Sequence, residues 1–354
     1  MATEEKATGF IDRLSIMADN LLKVATTKAP IGQTPRQAIW TLNKATLYRY
    51  TPVTEQKHPV PILLVFALMN KSSIMDLRPG NSFVEYLLSK GYDTWLLDWG
   101  TPGPEDAQNG LGDYALEYLP RAVRKLKSYA GVETFTLLGW CIGAMLSTIY
   151  SSLRGERDGL QNLILLTAPL DFSKPEAISL AAMTEERYFD VDRVLQAYGN
   201  MPAGLIDYGA KMLKPVENFV GGYARLLDNL DNPKVVESWH AMNTWVNDPI
   251  PLPGAAFRQF IVDFYRGNKL MKGSLRVRGE LVDLSKLTAN VLNVIGEDDH
   301  ITPPCQSENL LEKLGSTDKQ LLRVPGGHIG LMAGSAAAKG TWPKIESWLS
   351  AHSG

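Results

Sequence analysis

This sequence is poor in cysteine, histidine and net charge, and it has no long unbroken apolar run. Its two cysteines, Cys141 and Cys305, are too few among 354 residues for a disulfide framework. A reducing cytoplasm is the simpler setting for them. The net charge of −2 gives no electrostatic reason to expect nucleic acid or an anionic membrane as a partner. The longest apolar run, Val60 to Met69, contains Pro61 and is too short to span a bilayer, so no transmembrane segment is expected. Residues 1–30 carry Glu4, Glu5, Lys6, Asp12, Arg13 and Asp19, which leaves no apolar core for a secretion signal. What remains is a globular composition, 45% apolar and 21% charged, long enough to bury a large core.

The chain begins with helical spacing. Phe10, Leu14, Met17, Leu21 and Val24 recur at the period of an amphipathic helix over residues 8–27. That helix is read as packing on the outside of the domain, or as a docking surface for a partner or a hydrophobic particle. Pro30 and Pro35 close the unit. Ile62 to Leu68 then reads as an apolar strand, of the kind a sheet covered on both faces needs. Helical Ser82 to Lys90, strand Tyr92 to Trp99, helical Asp113 to Ala130, strand Thr134 to Leu138, helical Ile142 to Leu153 and strand Leu163 to Thr167 follow. Such alternation with short connections predicts an α/β, doubly wound, mostly parallel sheet. From Phe172 to Lys272 the alternation stops. Pro202, Pro215, Pro233, Pro249, Pro251 and Pro253 break its helical pieces. This stretch is read as a helical cap inserted over the sheet edge. Strand Ala289 to Ile295, helix Gln306 to Lys313, strand Gln320 to Val324 and a final helix over Ala336 to Ala351 resume the pattern. The expected organisation is an N-terminal segment 1–35, a core of 36–171 with 273–354, and a cap of 172–272.

The most informative stretch is Leu137-Leu138-Gly139-Trp140-Cys141-Ile142-Gly143-Ala144-Met145. A strand, a glycine, a nucleophile and a glycine opening a helix make a nucleophile elbow, with cysteine where serine is usual. The glycines keep side chains away from a strained turn, and the helix N-terminus favours a thiolate. A cysteine nucleophile needs a base and an orienting acid. The histidines are His58, His240, His300, His328 and His352. In the α/β-hydrolase order the acid follows a late strand and the histidine follows the last one. Ile295-Gly296-Glu297-Asp298-Asp299-His300 and Pro325-Gly326-Gly327-His328 stand at those places. Cys141 is therefore read as nucleophile and His328 as base. Glu297, Asp298 and Asp299 all remain candidates for the acid on this ground. His300 is read as lining the site or as an ordinary loop residue. The oxyanion calls for N–H donors, one from Ile142 and one from the turn near Leu68, Met69 or Asn70. A thiol attacking a thioester keeps the acyl group activated, which suits transfer to an alcohol without excluding hydrolysis.

These residues, taken together, resemble the polyhydroxyalkanoate synthases, most closely the short class III catalytic subunits. The likeness runs from about residue 40 onward. It includes Val65-Phe66-Ala67-Leu68-Met69-Asn70-Lys71, Leu96-Leu97-Asp98-Trp99-Gly100 and Gly139-Trp140-Cys141-Ile142-Gly143. It continues through Trp245-Val246-Asn247-Asp248, Phe264-Tyr265-Arg266-Gly267-Asn268-Lys269-Leu270, Asp299-His300-Ile301-Thr302-Pro303-Pro304 and Gly327-His328-Ile329-Gly330. The resemblance implies an α/β-hydrolase fold with a mobile cap. It implies polymer growth from (R)-3-hydroxyacyl-coenzyme A, 3-hydroxybutyryl foremost, with release of coenzyme A and no cofactor. It places the nucleophile on Cys141, the acid on Asp299 and the base on His328. It further implies a cytoplasmic enzyme on polymer granules, working with a second, non-catalytic subunit or as a homodimer. One residue departs from the family box, Ala144 where a second glycine is usual, and Ile142 is apolar where relatives often carry a polar residue. The competing readings are a cysteine thioesterase or polyester depolymerase on the same scaffold, and a catalytically idle granule-surface protein.

Overall fold

The computed structural model describes residues 2–174 and 184–353. Residues 175–183 of the expected cap lie outside the described residues. An eight-stranded sheet forms the centre. Its strands are β1 (Arg36–Leu42), β2 (Ala45–Tyr50), β3 (Ile62–Val65), β4 (Thr94–Asp98), β5 (Phe135–Trp140), β6 (Leu160–Leu166), β7 (Asn290–Gly296) and β8 (Lys319–Val324). They lie in the spatial order β1-β2-β4-β3-β5-β6-β7-β8. Strand β2 runs antiparallel to both β1 and β4, and every other neighbouring pair is parallel. Every residue of β3 and β5 is buried, as expected of strands with helices over both faces.

The register sets the position of the site. Val65 pairs with Gly139, Trp140 with Leu166, Val294 with Leu166, and Gly296 with Val324. The C-terminal ends of these five strands therefore share one edge, where open α/β sheets place their chemistry.

Helix α1 spans Ala2–Thr26, α2 Phe83–Ser89, α3 Leu119–Ala130 and α4 Ile142–Tyr150. Between β6 and β7 come α5 (Val191–Tyr198), α6 (Ala203–Lys211), α7 (Gly222–Leu227), α8 (Pro233–Val246) and α9 (Gly254–Gln259). The chain ends with α10 (Ser335–Lys339) and α11 (Thr341–His352). Leu119, Ala122, Val123 and Leu126 give α3 one buried stripe, and Gly131 ends it in the left-handed conformation at φ 69. Ser82 caps α2 by accepting the N–H of Glu85 at 3.0 Å.

Several boundaries differ from those the sequence predicts. Helix α1 begins well before residue 8. Its Met17 and Val24 pack against Leu226, Leu230 and Val236, while Leu14 and Leu21 remain 49% and 46% exposed. Asn20 donates to the Leu230 carbonyl at 2.8 Å, so α1 sits on the segment that follows β6. The β1–β2 hairpin is not foreshadowed, because no residue of β1 is fully buried and its alternation is weak. The helix predicted over 306–313 is instead two short 3-10 turns, Pro304–Gln306 and Leu310–Lys313. The physical reason lies in the carbonyls. Gln306 O accepts from Leu170 N at 3.1 Å and Asp171 N at 2.7 Å, and Ser307 O accepts from Asn293 Nδ2 at 2.8 Å. The Gln306 carbonyl is thereby used across the chain, while the Ser307 carbonyl is shared between Asn293 and Leu310 N at 3.1 Å, the i to i+3 spacing of a 3-10 turn. The final helix is interrupted at Gly340.

Candidate active site

Strand β5 delivers the chain to Cys141 with every side chain buried, and α4 starts at the next residue. Cys141 itself has φ 57 and ψ −124, a conformation L-residues rarely take. Its N–H donates to the Leu166 carbonyl at 3.0 Å, and its carbonyl accepts from Ala144 N at 2.9 Å. The turn is thus tied to β6 on one side and to the helix on the other. The two glycines are sterically required. A Cβ on Gly143 would stand 2.2 Å from the Val65 carbonyl oxygen, and one on Gly139 would stand 2.6 Å from the Ala144 Cα. Ala144 is fully buried within the first turn of α4. The first N–H groups of a helix have no intrahelical acceptor, so the Ile142 amide is a donor at the cysteine end of α4.

The other two residues arrive from the ends of β7 and β8. Asp299 Oδ2 is 2.7 Å from His328 Nδ1. Asp299 Oδ1 accepts from Ile301 N at 2.9 Å and Thr302 N at 2.8 Å, which fixes the carboxylate plane. Cys141, Asp299 and His328 are 8%, 4% and 6% exposed. Burial opposes charge on the imidazole. The neighbouring Asp299 carboxylate, the charge of Cys141 and hydrogen bonds to both outweigh it and push the His328 pKa up to about 10. The surroundings of His328 therefore favour its protonated form, with the Asp299 carboxylate on one side and the Cys141 sulfur on the other. Such an arrangement can hold a thiolate, move a proton to a leaving group and take one from an incoming hydroxyl.

The neighbouring acids are placed differently. Asp298 Oδ2 accepts only at a distance of 3.2 Å from Gly326 N and lies at the surface, and Glu297 is exposed. The geometry joins Asp299, and neither of them, to His328. His300 is half-buried. Its Nδ1 is buried with no hydrogen-bond partner among the described residues, and burial followed by Lys214 holds its pKa below the usual value. Met69 is half-buried against the core. The Asn70 Oδ1 accepts from Lys71 N at 2.7 Å, so its side chain shapes the turn after β3.

A scan of family models matches residues 70–335 to the alpha/beta hydrolase fold and residues 13–87 to the N-terminus of poly-beta-hydroxybutyrate polymerase. The poly(3-hydroxyalkanoate) polymerase subunit PhaC of Haloferax mediterranei is 35% identical over 349 residues, 99% of this chain and 70% of that protein. The corresponding subunit of Allochromatium vinosum is 35% identical over 320 residues, 90% of this chain and 89% of that one. The chain belongs to the poly(3-hydroxyalkanoate) polymerase family.

As a family member it is an enzyme of acyl transfer on an α/β-hydrolase fold. Solved structures of low identity show the same fold. The Paleococcus ferrophilus monoacylglycerol lipase is 19% identical, with a TM-score of 0.54 over 87% of this chain and 99% of that one. A soluble variant of the Saccharomyces cerevisiae monoglyceride lipase is 16% identical, with a TM-score of 0.59 over 94% and 98%.

Two features of this polymerase's site escape a reading of motifs. Tyr265 lies close enough to Cys141 to feel its charge. Burial, then that charge, push its phenol pKa up and keep the ring neutral. It packs on Phe172 and Phe260 at ring separations of 4.5 and 4.8 Å. The signal was only its place within Phe264-Tyr265-Arg266. The second feature joins the segment after β6 to the turn after β3. Lys71 Nζ pairs with Asp248 at 2.5 Å, and Trp245 Nε1 donates to the Lys71 carbonyl at 2.7 Å.

Proposed function

We propose that this chain joins (R)-3-hydroxyacyl groups, 3-hydroxybutyryl foremost, from coenzyme A thioesters into a polyester through a thioester on Cys141. The observation that carries the reading is the buried Asp299–His328 pair behind a strained Cys141 in a chain of this family. The Cys141 thiolate attacks the thioester carbonyl. The oxyanion takes hydrogen bonds from the Ile142 N–H and from the turn at Leu68 to Asn70. The carbon–sulfur bond to coenzyme A breaks, and His328 supplies the proton that leaves with the free thiol. The 3-hydroxyl of a chain end then gives its proton to His328 and attacks the Cys141 thioester, forming an ester and releasing the thiolate. Asp299 holds the imidazole in one tautomer and supports its charge. Cysteine fits this sequence because a thioester passes its acyl group to an alcohol downhill. The reaction as written calls for no cofactor.

The surface supports a second part of the reading. Leu22, Tyr208, Val216, Val220 and Tyr223 are among the large apolar side chains exposed on α1 and on the segment after β6. Exposed apolar groups concentrated on these two elements mark a contact surface, and the proposal assigns it to a granule or to a second subunit. No helix among the described residues is long and apolar enough to cross a membrane. The test is product analysis with short and medium 3-hydroxyacyl-coenzyme A, with and without a candidate second subunit. Polymer with free coenzyme A supports the reading, and free hydroxy acid alone overturns it in favour of a thioesterase.

A further inference from the structure

In the proposed reaction the turn after β3 supplies the second oxyanion donor, and such a donor works only if it is fixed before the charge develops. The chain there lies against the elbow. The Val65 and Phe66 carbonyls are the atoms a side chain on Gly143 would strike. Two indoles hold the ends of the turn. Trp99 Nε1 donates to the Phe66 carbonyl at 3.0 Å, and Trp245 Nε1 donates to the Lys71 carbonyl at 2.7 Å. The Lys71 N–H is taken by Asn70 Oδ1 at 2.7 Å. Between these holds, the amides of Leu68, Met69 and Asn70 donate to no acceptor among the described residues.

The two holds come from different parts of the protein. Trp99 follows β4 and belongs to the sheet. Trp245 stands in the last turn of α8, in the segment after β6. It is buried, and its ring meets Phe66 at 6.4 Å, while Phe66 meets Trp140, the neighbour of Cys141, at 5.1 Å. The Lys71–Asp248 pair adds a second tie at 2.5 Å. Both of its side chains are 40% exposed, so the pair contributes little by itself and the buried indole bond is the stronger hold. Ser72 Oγ also donates to Asp98 at 2.9 Å, but that bond fixes a side chain beyond the turn and no peptide within it. Helix α8 is braced on its other side by the N-terminal segment. Thr244 Oγ1 accepts from Ala29 N at 2.9 Å, His240 Nε2 lies 2.9 Å from the Thr27 carbonyl, and Val236 packs with Met17 and Val24.

We propose that Trp245 and Asp248 are positioning residues for the oxyanion turn. They act through Lys71, and they set where the amides of Leu68, Met69 and Asn70 point. The inference rests on the reading that this turn stabilises the oxyanion of a thioester attacked by Cys141. It adds that the turn depends on the segment after β6 for its shape, because the sheet itself holds only the Phe66 end. A turn released at its Lys71 end is free to rotate its N–H groups away from the elbow. Displacing α8 would then weaken acyl transfer while leaving Cys141, Asp299 and His328 in place.

The test compares two reactions of Cys141 in the whole protein. Alkylation by iodoacetamide needs the thiolate and builds no oxyanion. Acylation by (R)-3-hydroxybutyryl-coenzyme A, followed as release of free thiol, passes through one. Trp245→Phe keeps a ring against Phe66 and removes the N–H. It is expected to slow acylation by about ten-fold or more, short of the roughly 10²- to 10³-fold lost with a whole oxyanion donor, with alkylation within about two-fold of the parent. The loss should fall on kcat rather than on KM, since the bond matters in the transition state. Lys71→Met should show the same one-sided loss at a smaller size, and Lys71→Arg, which keeps a cation for Asp248, should recover most of it. Acylation within about two-fold of the parent in both Trp245→Phe and Lys71→Met, or acylation and alkylation falling together, would overturn the assignment. Should Trp245→Phe fail to fold, Lys71→Met decides, because it alters only a partly exposed side chain. A parent protein that is alkylated at Cys141 but never acylated removes the substrate reading and this inference with it, and that control tells the two failures apart.

Discussion

Asp299→Asn is the substitution the geometry constrains most tightly. The asparagine keeps the shape of the side chain, and its carbonyl oxygen can still accept from Ile301 N and Thr302 N, now at 2.9 and 2.8 Å. What is lost is the charge facing His328 Nδ1 across 2.7 Å. An amide NH₂ placed there opposes the imidazole N–H, so the ring turns to the tautomer with its proton toward Cys141. Burial already disfavours the imidazolium, and Asp299 is the leading influence holding the His328 pKa up at about 10. Without it the ring is neutral at pH 7 and wrongly protonated to serve as base. Loss of the tautomer-fixing acid in such triads costs on the order of 10⁴ in rate, which is about 5 kcal/mol at 1.36 kcal/mol per decade. A thiol depends less on its base than a hydroxyl, so a fall of about 10²- to 10⁴-fold is expected. The assay is release of free thiol from (R)-3-hydroxybutyryl-coenzyme A, read beside a thermal melt that confirms folding. Asp298→Asn is the control, since that side chain makes only a long contact to Gly326 N at the surface. It should stay within about three-fold of the parent, as exposed charges contribute little. If Asp298→Asn costs more than Asp299→Asn, the assignment of the acid is refuted.

The remaining expectations concern the turn, the helix behind it and the proton. Gly143→Ala drives a Cβ to 2.2 Å from the Val65 carbonyl. It should cost about 1–3 kcal/mol or more of stability, seen as a lower melting temperature, and a melt equal to the parent's would contradict the packing. Ala144→Gly should preserve activity and cost about 0.5–1 kcal/mol, the helix penalty of glycine; a rise in stability would show that the methyl strains the turn. For His328 the sign follows from a folded pKa raised above its ordinary value. Its contribution to stability is fully present below about pH 6.5, falls as pH rises and is lost through about pH 10. Melting temperature against pH should show this decline in the parent protein, and Asp299→Asn should flatten it.

How much of this could be read from the residues depends on whether the signal was local. The elbow was legible because Gly139, Cys141 and Gly143 act through sterics within five positions, and the distances to Val65 and Ala144 bear out why those glycines stand there. The parallel core was legible because β3 is apolar throughout and β5 and β7 are apolar at most positions. The β1–β2 hairpin was not, since its outer strand buries nothing fully. The turns at Pro304–Gln306 and Leu310–Lys313 were misread as one helix because the Gln306 carbonyl serves Leu170 and Asp171, partners far away in the chain. The same distance hid the Lys71–Asp248 pair and the approach of Tyr265 to Cys141. Asp299 could not be separated from Asp298 and Glu297 by spacing, and only the resemblance chose it. In the structure the choice rests on which of the three carboxylates faces His328.

The most direct test of the central claim is to trap the acyl-enzyme. The protein is quenched in acid shortly after mixing with (R)-3-hydroxybutyryl-coenzyme A, digested, and the peptide carrying Cys141 is weighed. The account predicts a 3-hydroxybutyryl or oligomeric adduct on Cys141, removed by neutral hydroxylamine as a thioester is, and absent from Cys141→Ala. Coenzyme A released at the parent rate by Cys141→Ala, or an adduct on another residue that resists hydroxylamine, would contradict it.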